Sequence, residues 1–295
     1  MSFIDDFSRD RVLNMVTSVL KVTPGFEYDH WYYDKIHGIQ HSLQCMYYTD
    51  LILNHVSSLG LQELNLEESE YASDKLLYHT MLIAAATHDI GLFQTKYSNE
   101  RKTHHIYGSK FFDQMALMLY NSVIYMTGYT SNEDDFLRFK SFIKQAIRNH
   151  RVYHTGIRSL KDLPTYSDII SVADKLCYYT KFEIFQRTML FTDDEKAVTE
   201  DGIHDGIEHI CEKVIGKIYP NELLKDAAKA CGIKECDLLN TTDPQEIKRQ
   251  YLQYCREMGI RVYANKEDMG EDIHNLNEGK CVYTKHFEFN WTLNK

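Results

Sequence analysis

The segment 80–91, T-M-L-I-A-A-A-T-H-D-I-G, constrains the fold of this chain more than any other. Its apolar run leaves too little polar surface for an outer helix and predicts one that is buried all round. The run then reaches His88 and Asp89, with Gly91 placed to stop the helix. Two ionisable side chains at the end of a core helix are costly to bury unless something satisfies them. A metal ion is the usual answer, because it takes nitrogen and oxygen ligands together. A lone His-Asp pair says little by itself. The chain has another at His204-Asp205, in a polar stretch where it reads as surface. The question is whether other helices deliver ligand-type side chains to the first pair.

Apolar spacing predicts several such helices. The stretch 4–22 is amphipathic and closes at Pro24-Gly25. A helix over roughly 36–56 carries His37 and His41 one turn apart, with Cys45 continuing the line. Asp74 is a plausible N-cap for the buried helix. A helix starting near His104-His105 is expected to continue through Phe111, Phe112, Met115 and Leu119. The next has Phe136, Phe139, Ile143, Ala146 and Ile147 inward, and the same spacing lands on His150. Pro164 is expected to start a helix with Asp174 on or beside its inward stripe, where a carboxylate needs a partner. Beyond about residue 193 an acidic connector leads to helical segments near 203–218, 222–230 and 244–258. The tail 281–293 alternates like a strand. The fold class expected is therefore mainly α.

Composition narrows the function. The 295 residues are 43% hydrophobic and 26% charged, ordinary for a globular protein, and no apolar run is long enough to span a membrane. A net charge of −10 argues against a broad nucleic-acid-binding face, though not against a local basic pocket for a small phosphate. Seven cysteines without a CxxC pair suggest scattered thiols of a reducing compartment, so the location expected is cytoplasmic. There is no P-loop, no GxGxxG after a strand and no G-x-S-x-G. The tyrosines Tyr28, Tyr32, Tyr33, Tyr47 and Tyr48 read as packing rather than as a base-stacking platform.

Four helices thus deliver His41, His88 with Asp89, His150 and Asp174, and the order H…HD…D is a recognisable pattern. The pieces H-G-I-Q-H-S-L, A-A-A-T-H-D-I-G and S-V-A-D-K-L resemble the motifs of the HD-domain metal-dependent phosphohydrolase superfamily, over about half of the chain. The resemblance implies a multi-helix HD-type domain over 1–192, with 193–295 as a mostly helical C-terminal extension of unassigned role. It makes His41, His88, Asp89 and Asp174 the primary metal ligands, with Asp89 also catalytic, and His37 a neighbour that packs beside or supports the ligands rather than being one. H-H-I-Y-G-S and Arg148-Asn149-His150 are similar to segments that hold a second ion in some members, which makes His104, His105 and His150 candidates for it. One ion is favoured and two remain open, drawn from Mn, Fe, Co, Ni or Zn.

The activity implied is hydrolysis of a nucleotide or related small phosphate by a metal-activated water. Lys96, Arg101, Lys102, Arg148 and Arg151 are candidate phosphate contacts, though each alone reads first as a solvated loop charge, and Lys175, directly after Asp174, is a further candidate. Two features depart from the pattern. Leu92-Phe93 stands where a lysine commonly follows H-D-I-G, and R-V-Y-H-T-G replaces the G-Y-P signature of cyclic di-GMP enzymes. The alternatives are a di-iron oxygenase on the same scaffold and a catalytically inactive binding module. No membrane or extended nucleic-acid partner is expected, and a homo-oligomer remains open.

Overall fold

The apolar run that dominates the sequence becomes helix α4 (Asp74–Thr87), the central rod of the first of two compact units. The structure, a computed structural model, describes residues 6–34, 37–58, 74–94, 101–130, 133–191, 199–258, 262–265 and 267–269. From Met81 to Ala86 the helix is essentially inaccessible to solvent. Burying Met81, Leu82 and Ile83 stabilises the fold by about 1.5–3 kcal/mol each. The hydroxyls within the rod are satisfied locally, Thr80 donating to the Leu76 carbonyl and Thr87 to that of Ile83, both at 2.7 Å.

Around α4 pack α1 (Asp6–Val22), α3 (Ile39–Ser58), α6 (Ala116–Thr127), α7 (Glu133–Asn149) and α8 (Asp168–Leu176). The short α2 (Tyr28–Tyr33) plugs the first unit with Trp31, and α5 (His104–Phe111) lies against α7 and the 3-10 turn Ile90–Phe93. The helix expected to run from His104 through Leu119 is broken by a 3-10 turn at Phe112–Gln114, after which α6 begins. Likewise α8 starts at Asp168 rather than at Pro164, because the Asp168 carboxylate accepts from the Thr165 amide and hydroxyl and closes a turn before it. Gly128, at φ 65°, ends α6 in the left-handed conformation a glycine adopts without cost.

The first unit comprises residues 1–177 together with 221–233. The later segment supplies α11 (Glu222–Ala230), which packs on α3 and α8. It also fastens the loop after α7. The Asn221 side-chain amide donates to the Tyr153 carbonyl at 2.8 Å, and Asp226 accepts from the Leu160 amide at 2.8 Å and the Ser159 hydroxyl at 3.1 Å.

The second unit comprises 178–220 and 234–295. Its described core joins α9 (Lys181–Phe191), α10 (Glu200–His209), a π-helical continuation Ile210–Ile218 and α12 (Pro244–Glu257), with Ile184, Phe185, Ile207, Val214 and Tyr251 buried. Among the described residues β pairing is limited to two isolated bridges, Phe26 with Gln94 and Thr199 with Tyr263. The strand expected over 281–293 lies outside the described residues. No helix among the described residues is long and apolar enough to cross a membrane.

Candidate metal centre

Helix α4 ends at Thr87, so His88 and Asp89 occupy the turn between it and the 3-10 turn Ile90–Phe93. Gly91 is therefore not the helix stop expected from sequence. Its role is close approach: a Cβ there would strike the His104 carbonyl oxygen and come within 2.8 Å of the Gly108 nitrogen. The missing side chain lets the start of α5 lie directly on the turn and brings His104 to Asp89.

Asp89 faces two groups of nitrogen donors, one with each oxygen. Its Oδ2 lies 3.2 Å from His88 Nε2, 3.5 Å from His41 Nε2 and 3.0 Å from His37 Nδ1. Asp174 Oδ1 joins this side, 3.2 Å from His41 Nε2 and 3.8 Å from His88 Nε2. On the other side, Asp89 Oδ1 lies 3.1 Å from His104 Nε2 and 3.3 Å from His150 Nε2, which are 3.1 Å from each other. Ligand atoms about 2.1 Å from a common ion sit about 3.0–3.4 Å apart in octahedral or tetrahedral geometry. The spacings here are largely those of coordination edges.

The donor set is all imidazole nitrogen and carboxylate oxygen, which suits a first-row divalent ion. Two of the rings are locked in orientation by backbone acceptors. Nδ1 of His88 donates to the Ala85 carbonyl at 2.7 Å, and Nδ1 of His150 to that of Ile147 at 2.6 Å. With those protons committed, Nε2 of each ring faces the carboxylates, the usual support for a ligating histidine. His41, His88, Asp89, His104 and His150 are all buried. Three groups, His37 with His41 and Asp89, His41 with His88 and Asp174, and Asp89 with His104 and His150, could each hold a metal ion.

Charge explains how so many polar groups share one interior site. Burial works against ionising Asp89, but the charges of His88 and His37 and hydrogen bonds from His104 and His150 outweigh it, holding the carboxyl well below the usual range. Asp174 is likewise held low, its burial outweighed by the His41 hydrogen bond and the Lys175 charge. Burial also opposes a charge on His88, yet Asp89 and Cys45 raise it well above an ordinary imidazole. The proton on His88 thus supplies the positive charge that the carboxylates demand, and a bound cation would displace it. His150, driven down to about 4 chiefly by burial, is a neutral donor at physiological pH.

The other residues expected at the site divide. His105 joins none of the three ligand groups. Its ring centre is 5.9 Å from that of His104 and 6.3 Å from that of His150, and its Nδ1 is buried without a hydrogen-bond partner. Burial and the positive charges of His104, Arg151 and Arg148 keep it below the ordinary imidazole value. Arg151 is tied to the Lys102 carbonyl at 2.6 Å, and both it and Arg148 are exposed beside His105. Lys96 and the side chain of Arg101 lie outside the described residues.

Lys175 is buried rather than open to substrate. Its ammonium donates to the carbonyls of His150 at 2.6 Å and Ser171 at 3.2 Å, sits 3.6 Å from Asp174 and rests over the Tyr153 ring at 4.9 Å. His37, expected from sequence to pack beside or support the ligands, touches Asp89 directly and joins one of the three groups. Asp34 accepts from its amide at 2.7 Å and sets it in the turn before α3. The signal available for it was its position one turn ahead of His41. No family model, curated protein or solved structure matches this chain.

Proposed function

We propose that the first unit is a metal-dependent phosphohydrolase of the HD-domain type, with Asp89 shared between two divalent ions. The observation that carries this is the division of the Asp89 carboxylate, one oxygen toward His41, His88 and Asp174 and the other toward His104 and His150. His41, His88 and Asp174 would hold one ion, His104 and His150 the other. Bound there, the ions supply Lewis-acid polarisation of a phosphoryl oxygen and a nucleophilic water at neutral pH.

The protein's own contribution is arrangement and charge. Carboxylates that stay ionised keep two anionic donors ready for a cation, and rings fixed through their Nδ1 protons keep the site's geometry from collapsing. His37, with 31% of its side chain exposed and Nδ1 at 3.0 Å from Asp89, is the imidazole placed to pass a proton between the site and solvent. Arg148 and Arg151 set a positive rim beside His105, suited to the anionic oxygens of a phosphate.

The test is phosphate release from nucleoside monophosphates, nucleoside polyphosphates and phosphodiesters, with Mn, Fe, Co, Ni or Zn added back singly to stripped protein. Metal-dependent release that is lost in both His88→Ala and Asp89→Ala is expected. Release that survives in both variants, or is absent with every ion, overturns the proposal.

A further inference from the structure

On the outer side of the α5–α7 seam the chain forms an open groove of about 800 Å³. Four of its nine lining residues are cations, Lys110, Lys140, Lys144 and Arg148. The rest are serine hydroxyls, Gln and Asn amides and one leucine, and none is acidic. In a chain of net charge −10, a groove lined by four cations and no acidic residue is a local basic patch of the kind that attracts anions. The charges are also ordered. Lys140, Lys144 and Arg148 recur every four residues on α7, so they form a line about 12 Å long on one side of the helix.

The Arg148 end of the line is the one nearer the metal centre along α7. Arg148 lies two residues before His150, Asn149 also lines the groove, and Arg148 acts electrostatically on His105, which sits beside His104 and His150. Among the described residues, one carboxylate is paired with these cations. Asp113, with its side chain 41% exposed, holds Lys140 at 2.9 Å and Lys144 at 2.7 Å. It keeps the two ammonium groups adjacent, and it leaves four cations facing one anion.

The geometry points to a second anion subsite: the α5–α7 groove binds further phosphate groups of a multiply phosphorylated substrate whose scissile phosphate lies at the His/Asp cluster. The substrate role rests on the phosphohydrolase proposal, whereas anion binding by the groove does not. A single-phosphate ester would reach only the cluster, and a substrate with several phosphates would engage both.

Full-length protein stripped of metal and titrated with inorganic tripolyphosphate tests the groove without turnover. Lys110→Gln/Lys144→Gln is expected to weaken binding at least tenfold. Asp113→Asn, which frees both of its lysines, is expected to tighten binding about threefold, the scale of a surface ion pair. Absence of tripolyphosphate binding by the wild type, or equal binding by the double variant, overturns the subsite. In metal-loaded protein the double variant is expected to raise KM for a nucleoside triphosphate at least threefold more than KM for phenyl phosphate, and equal rises remove the substrate role. If no phosphate compound is turned over, the phosphohydrolase proposal and the substrate role fall together, while tripolyphosphate binding still decides the groove.

Discussion

Replacing Asp89 by asparagine is the most telling perturbation of the centre, because the side chain keeps its shape and loses only what an ion requires. The carboxylate offers Oδ2 to the His41, His88 and Asp174 group and Oδ1 to His104 and His150. A carboxamide offers one oxygen and one NH2 group, which cannot ligate, so at most one half keeps its full set. Losing an outer-shell partner costs about 10–100-fold in metal affinity, so losing a direct anionic ligand costs at least about 100-fold, or about 2.7 kcal/mol for the ion affected. An ion held at a hundred times its Kd stabilises the fold by about 2.7 kcal/mol. For a unit of this size that corresponds to roughly 5–10 °C in Tm per ion.

The assay is metal content per chain with the manganese dependence of Tm, on wild type, Asp89→Asn, His104→Ala and Asp174→Ala. Two ions are expected in the wild type. His104→Ala and Asp174→Ala should each lose a different one, and Asp89→Asn should fall to one or none. Two ions bound at wild-type affinity in Asp89→Asn would refute the shared carboxylate. So would a His104→Ala variant that loses both ions while Asp89→Asn loses one.

Three further outcomes follow from the packing. Gly91→Ala drives a Cβ into the backbone of His104 and Gly108, and should lower stability in urea by about 3 kcal/mol and weaken the ion held by His104 and His150; a loss below about 0.5 kcal/mol would contradict the close-approach role. Lys175→Met leaves the carbonyls of His150 and Ser171 without their ammonium donor and should cost about 2–3 kcal/mol. A raised KM at unchanged stability would instead assign Lys175 to substrate. In the second unit, burial and the charges of Lys213, Arg187 and Lys217 push His209 down to about 4. The unfolded chain takes up that proton near an ordinary pKa of about 6.5, so stability is present above that pH and lost as pH falls toward 4. Partial exposure reduces the effect to roughly 1–2 kcal/mol, and His209→Gln should flatten the pH dependence of unfolding over that window; an unchanged slope would refute it.

Much of the helical content was legible because period and burial are local signals. The 3.6-residue spacing of Phe139, Ile143, Ala146 and Ile147 points inward on its own, and all four are buried in α7. Helix ends were less legible. Continuation through Phe112, a start at Pro164 and Gly91 as a stop all failed: α8 starts late because Asp168 caps Thr165 three residues before it, and Gly91 is fixed by the distant carbonyl of His104 rather than by the helix end. The surroundings of Lys175 were not legible either. Sequence shows a lysine next to an aspartate, but not that its reach is taken up by the His150 and Ser171 carbonyls.

The sequence by itself determined that the chain is mainly helical, that 80–87 is buried, and that His41, His88, Asp89, His150 and Asp174 are the polar side chains a helical core must accommodate. Those conclusions depend on composition and spacing, which a linear chain carries in full. Only the tertiary structure decided that Asp89 turns one oxygen to each of two histidine groups, that His37 reaches it while His105 stays aside, and that residues 221–233 return to complete the first unit. Those are matters of how packed helices are rotated and set against one another. Donor atoms 46 to 52 residues apart come within about 3 Å only after close packing has fixed each rotation.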